Sequence, residues 1–132
     1  MSQENVELVR RIFDSWAKGD FRGGVDDLDP HVLFIVRPPL AEPAVRLGPE
    51  GIRNYMREFL RQWADYVIEA KELKPIGDTV VASTVWRATG HGSGIPMEVS
   101  FFILFTFRGR KIVRLESIVD ESEALEAAGL SE

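Results

Sequence analysis

Residues 96–119, PMEVSFFILFTFRGRKIVRLESIV, constrain this chain more than any other stretch. They read as two long strands joined by a tight turn at Arg108–Lys111. On the first strand Met97, Val99, Phe101, Ile103, Phe105 and Phe107 share one face. Glu98, Ser100, Phe102, Leu104 and Thr106 share the other. Side chains alternate along a strand with period two, so a half-solvated strand is apolar on one side only. This strand is apolar on both sides through its middle. Its two faces are therefore expected to meet two apolar layers, one within the subunit and one in a partner.

The chain has 132 residues, which fits one domain (1–132) with a core of its own. A net charge of −5 argues against nucleic acid or an anionic membrane as partner, since both need a basic footprint. Arg53, Arg57 and Arg61 lie four apart, the spacing of a solvated helix face. Cysteine is absent, which removes disulfides, thiolate chemistry and thiolate metal sites and fits a reducing compartment. No segment reaches the roughly 20 apolar residues of a membrane span, and MSQENVELVRR has no apolar signal core. A cytoplasmic protein is the expectation.

Along the chain, Ser2 can cap a first helix whose apolar stripe is Val6, Val9, Ile12, Phe13, Trp16 and Ala17, stopped at Gly19. FRGGVDDL (21–28) has the makings of a short second helix, weakened by Gly23–Gly24. HVLFIVR (31–37) is a strand ended by Pro38–Pro39. Residues 38–48, with three prolines and one glycine, read as a surface loop long enough to flank a cavity mouth. Gly48–Pro49 opens a helix with the buried stripe Ile52, Tyr55, Met56, Phe59, Leu60 and Trp63. Strands at 65–73 and 79–89 precede the central hairpin, the first expected at an exposed edge. Asp120 and Glu123 form a capping-box pattern for a last short helix, SEALEAAG. Helices first and strands after predict an α+β fold with a curved, mostly antiparallel sheet.

This layout, with WAKGD closing the first helix, LDPHV opening a strand, LGPEGIRNYM opening a long helix and GRKIVRLESIVDESEALEAAGL at the end, resembles the NTF2-like superfamily and its SnoaL-like branch. The resemblance implies a cone in which N-terminal helices pack on the concave face of a bent sheet and enclose an apolar pocket. It implies homodimerisation through the convex face, with Phe102, Leu104, Arg114 and Glu116 at the interface. It also implies that Ala82, Thr84, Trp86, Val113, Leu115 and Ser117 look inward. The pocket set is then Ile12, Trp16, Ile35, Arg37, Tyr55, Phe59, Thr84, Trp86, Ile103, Phe105, Leu115 and Ser117. Its occupant is expected to be a small hydrophobic molecule.

The superfamily hosts isomerases, cyclases, hydrolases and transport factors, so fold alone does not select a reaction. The positions that match the catalytic tyrosine and two carboxylic acids of its steroid isomerases are Ile12, Ile35 and Ile103. None of them can take or donate a proton. The water-activating triad of the epoxide hydrolases meets Thr84 and Trp86 here, so it too is missing. A polyketide-cyclase-like mechanism needs one acid–base carboxylate, for which Asp120 and Glu116 are the candidates. Against that stand a helix cap at Asp120 and an ion pair of Glu116 with Arg87 or Arg114.

Arg37 shares strand parity with Leu33 and Ile35, which aims it inward, where its rigid fork suits a carboxylate or an enolate oxygen. The competing reading is a strand-end arginine reaching into water. His31 and His91 are the only histidines and have no companions at ligand spacing, so neither a metal nor a cofactor is expected. The GHGSG stretch at 90–94 lacks the strand-then-helix context of a phosphate loop or nucleophile elbow. Three functions stay open: a ligand-binding domain, a small isomerase, cyclase or hydrolase, and a protein-interaction module.

Overall fold

The computed structural model describes residues 2–20, 24–37 and 43–129, Ser2 by its backbone alone. Helix α1 spans Ser2–Ala17, and its stripe sinks Val6, Val9, Ile12 and Phe13 into the core. Helix α2 spans Gly48–Leu60 with proline in its first turn, where a missing N–H costs nothing. Of the stretch 21–28, expected to form a short helix, the described part holds a single 3-10 turn, Val25–Asp27, and residues 21–23 lie outside the described residues. The strands are β1 (Leu28–Val36), β2 (Ala44–Leu47), β3 (Trp63–Ile76), β4 (Thr79–Gly90), β5 (Pro96–Arg108) and β6 (Lys111–Ile118). Helix α3, Glu121–Ala127, closes the described chain, and Asp120 Oδ2 accepts from the Glu123 N–H at 2.9 Å as its cap.

The six strands form one curved, open sheet in the order β2-β1-β6-β5-β4-β3. Every neighbouring pair is antiparallel except β1 with β6. The α+β reading holds, and β3 lies at an edge as its charged half suggested. Part of the expected 38–48 loop is instead the edge strand β2, which pairs Ala44 with Val36 and Leu47 with Leu33. Residues 38–42 lie outside the described residues. Trp63, assigned by periodicity to the second long helix, begins β3, because α2 stops three residues earlier.

Helices α1 and α2 cover the concave face, α1 over β3 and α2 over β1. Phe101, Ile103, Phe105 and Phe107 of β5 all join the main core there, with Phe105 only 1% exposed. The opposite face has a layer the sequence reading did not foresee. Val81, Leu104 and Ile118 pack with Ala124 of α3 in a second, smaller core. Leu104 is 2% exposed, so this chain's own last helix fills the place assigned to a partner. Phe102, beside it, stays half-buried.

One irregularity decides the inner face of β6. Thr106 pairs with Arg114 but Phe107 pairs with Ile112, so Val113 is an extra residue, a β-bulge. Strict alternation turned Val113 inward. The bulge instead puts Ile112 and Leu115 in one wall, three residues apart.

A candidate ligand cavity between the helices and the sheet

Between the helices and the concave face lies a cavity of about 140 Å³. Nine of the residues assigned to a pocket line it: Ile12, Trp16, Tyr55, Phe59, Trp86, Ile103, Phe105, Leu115 and Ser117. Each follows from local structure. Ile12 and Trp16 are one turn apart on α1, Tyr55 and Phe59 one turn apart on α2, and Ile103 and Phe105 alternate on β5.

Three assigned residues stand elsewhere. Ile35 and Arg37 belong to the outer parity of β1, because Phe34 and Val36 line the cavity. Leu33, Phe34, Ile35 and Val36 are all apolar, so the residues by themselves did not say which pair faced in. Thr84 is on the inner face and 1% exposed, but its hydroxyl donates to the Phe101 carbonyl at 2.8 Å, and it does not reach the cavity. Phe34 and Val36, which hold the inner positions expected of Ile35 and Arg37, have no group that can move a proton.

Residues that sequence reasoning missed complete the wall: Gly24, Val25, Leu28, Ile52, Met56, Tyr66, Ile68, Phe101 and Ile112 join Phe34 and Val36. Tyr66 and Ile68 alternate with exposed Val67 on β3, a period-two signal that was legible. Gly24 and Val25 carried none, being placed by the turn.

Two groups of rings frame the space. Trp86 meets Phe59 edge-on at 5.9 Å and Trp63 edge-on at 5.1 Å, lies tilted against Tyr66 at 5.5 Å, and Tyr55 stacks on Phe59 at 6.2 Å. Across from them Phe13 contacts Trp16 at 5.0 Å and Phe105 at 5.8 Å, both edge-on. Such offset and edge contacts suit the ring quadrupoles and hold the walls in place. Burial raises the phenol pKa of Tyr66 far above its ordinary value. It raises that of Tyr55 as well, against the opposing pull of Arg46, whose guanidinium lies 5.7 Å from the ring. Both phenols are neutral over the physiological range.

No aspartate, glutamate, histidine, lysine or arginine lines the cavity among the described residues. Asp120 is exposed and engaged with Ser122 and the Glu123 N–H, which hold its carboxyl below the ordinary range. Glu116 is on the outer face, 2% exposed, and accepts hydrogen bonds from Arg37 and Arg114. Arg37 is thus one of the two cations over a buried carboxylate. Arg87, the other partner considered for Glu116, bonds Glu98 and Glu69 at 3.0 Å each. His91 is exposed in the turn between β4 and β5. No cluster of three or more potential metal ligands occurs among the described residues, and no helix there is long and apolar enough to cross a membrane.

Comparison with known proteins places the fold. A SnoaL-like domain matches residues 9–115. An NTF2-like protein from Burkholderia thailandensis has 20% identity and a TM-score of 0.79 over 96% of each chain. TerC, co-crystallised with polyporic acid, has 20% identity and a TM-score of 0.76 over 94% of this chain and 97% of its own. A protein of ketosteroid isomerase-like fold from Catenulispora acidiphila, in complex with trimethylamine, has 18% identity and a TM-score of 0.74 over 94% and 93%. No curated protein matches by sequence. The inward rings, the bent sheet and the domain match agree: this chain belongs to the SnoaL-like family of the NTF2-like superfamily.

Proposed function

We propose that this protein binds a small, neutral, hydrophobic molecule between its helices and its sheet. The observation that carries the reading is a cavity of about 140 Å³ walled by rings and branched chains, with no charged side chain among its described lining residues. An apolar cavity of about 150 Å³ holds a benzene-sized guest, so the volume suits one ring rather than a polycycle. TerC, of the same fold, was crystallised with polyporic acid, which is in keeping with a small-molecule site in this fold.

A polyketide-cyclase-like or isomerase reaction is the second reading, supported by the family. Among the described residues it lacks an acid–base group at the cavity, since Asp120, Glu116 and His91 all lie outside it. Binding therefore ranks first.

Native mass spectrometry of the purified protein tests the proposal. The expected result is an apolar guest of low mass, or one-ring probe molecules taken up on addition. Ile103→Trp, which fills the cavity with a larger side chain, is expected to abolish uptake while the protein stays folded. Equal uptake by the wild type and this variant would overturn the assignment.

We infer further that the outer face pairs with a second copy. Leu33 and Ile35 stand in register with Leu47 and Val45, which are 65% and 63% exposed, so four apolar side chains adjoin on that face. Half-buried Phe102 lies farther across the same sheet.

A further inference from the structure

Ser117 stands apart from the wall it belongs to. It is 8% exposed, lines the cavity, and sits in register between Val36 of β1 and Ile103 of β5. Its carbonyl accepts from the Arg37 N–H at 3.1 Å, which ties its backbone into the sheet. Its hydroxyl has no hydrogen-bond partner among the described residues. The oxygen itself is not fully buried: among the described residues Trp63 Nε1 is the fully buried side-chain polar atom without a partner, so the Ser117 hydroxyl stays open to the cavity it lines, where an occupant can reach it. The other polar lining atoms belong to Tyr55, Tyr66, Trp16 and Trp86, whose rings make apolar wall whatever their tips do. Serine has no such second use here.

The charge inventory limits what can meet that hydroxyl. An ionised ligand would lie among apolar side chains without a counter-ion, a costly arrangement. A neutral ring carrying one oxygen would be satisfied by a single contact. Ser117 can donate to a carbonyl or accept from a hydroxyl equally well.

We propose that Ser117 is the hydrogen-bond anchor of the cavity and that the ligand class is a neutral small ring compound with one hydroxyl or carbonyl group. This rests on the ligand-binding reading above. Ser117 then determines specificity, by orienting the ring with its polar end toward β6.

Fluorine NMR titrations of 4-fluorophenol, fluorobenzene and 4-fluorobenzoate test it, with wild type, Ser117→Ala and Ser117→Thr. The ratio of the first two Kd values is expected to shift toward fluorobenzene by roughly fivefold in Ser117→Ala, the scale of one neutral hydrogen bond. Ser117→Thr, which keeps the hydroxyl, should restore the ratio. The benzoate should bind more weakly than the phenol to wild type. An unchanged ratio with both probes bound overturns the anchor and leaves the cavity reading standing. Benzoate binding tighter than the phenol overturns the neutral class. Failure of both neutral probes to bind wild type overturns the ligand reading itself, and the anchor with it.

Discussion

A Cβ built on Gly24 would lie 2.8 Å from Ile12 Cδ1, so the turn after α1 runs directly against the helix at the cavity edge. Gly24 also has φ +92°, in the region that L side chains avoid. Gly24→Ala should therefore cost about 1–2 kcal/mol from the backbone alone and push Ile12 toward the cavity. Gly19, at φ +85° with nothing within 4 Å, is the control for backbone strain without the contact. Chemical denaturation of both alanine variants measures the difference. Equal losses would mean that Ile12 yields freely.

Glu116 makes a second relationship testable. Its carboxylate is buried while Arg37 and Arg114, which bond it, are 46% and 42% exposed. Removing both arginines leaves a buried, uncompensated charge, a loss of roughly 3–5 kcal/mol. The double variant Arg37→Ala/Arg114→Ala should be much less stable than Glu116→Gln, whose orphaned arginines can turn to water. Denaturation midpoints rank the variants, and the opposite ranking would show that the arginines contribute packing rather than charge.

Probe binding should not depend on pH between about 5 and 9, since no described lining residue titrates there. Both lining phenols have their pKa raised by burial, which moves their ionisation further from that window. Stability behaves differently at low pH. The Asp120 carboxyl is held below its ordinary pKa by Ser122 and the Glu123 N–H. A depressed folded-state pKa contributes stability above the unfolded value and loses it as pH falls through the folded one. Asp120→Ala should flatten the acid limb of a thermal-melt profile without touching affinity for 4-fluorophenol. A pH-dependent affinity would point to a titrating group at the cavity.

On the outer face, Val45→Lys/Leu47→Lys replaces two exposed side chains and should convert a dimer to a folded monomer at micromolar concentration in sedimentation. Leu104→Glu, the substitution the sequence alone would suggest, buries a charge under α3 and reports on folding. A wild-type monomer, or an unaltered dimer in the lysine variant, would discard this face as the interface.

Much of the architecture was legible. The helical stripes of α1 and α2, the alternation in β4 and β5 and the Asp120 cap are local patterns with a fixed physical period. Nine cavity residues followed once the inner side was known. What failed were parities and partners. In β1 both faces are apolar, so alternation fits either assignment, and the whole strand inverted, taking Ile35 and Arg37 outside. In β6 the Val113 bulge shifted the phase partway along, exchanging Val113 for Ile112. Thr84 had the right face, but its hydroxyl is spent on the Phe101 carbonyl.

By itself, then, the sequence determined the two long helices, the long strands and the doubly apolar strand at the centre, but not the short edge strand β2. Those properties rest on side-chain spacing within one segment. Only the tertiary structure decided that α3 covers Leu104, that Glu116 lies between Arg37 and Arg114, and that Ser117 lines the cavity with its hydroxyl unpartnered among the described residues. Each of these depends on which distant segments meet, and on the one extra residue that turns a strand over.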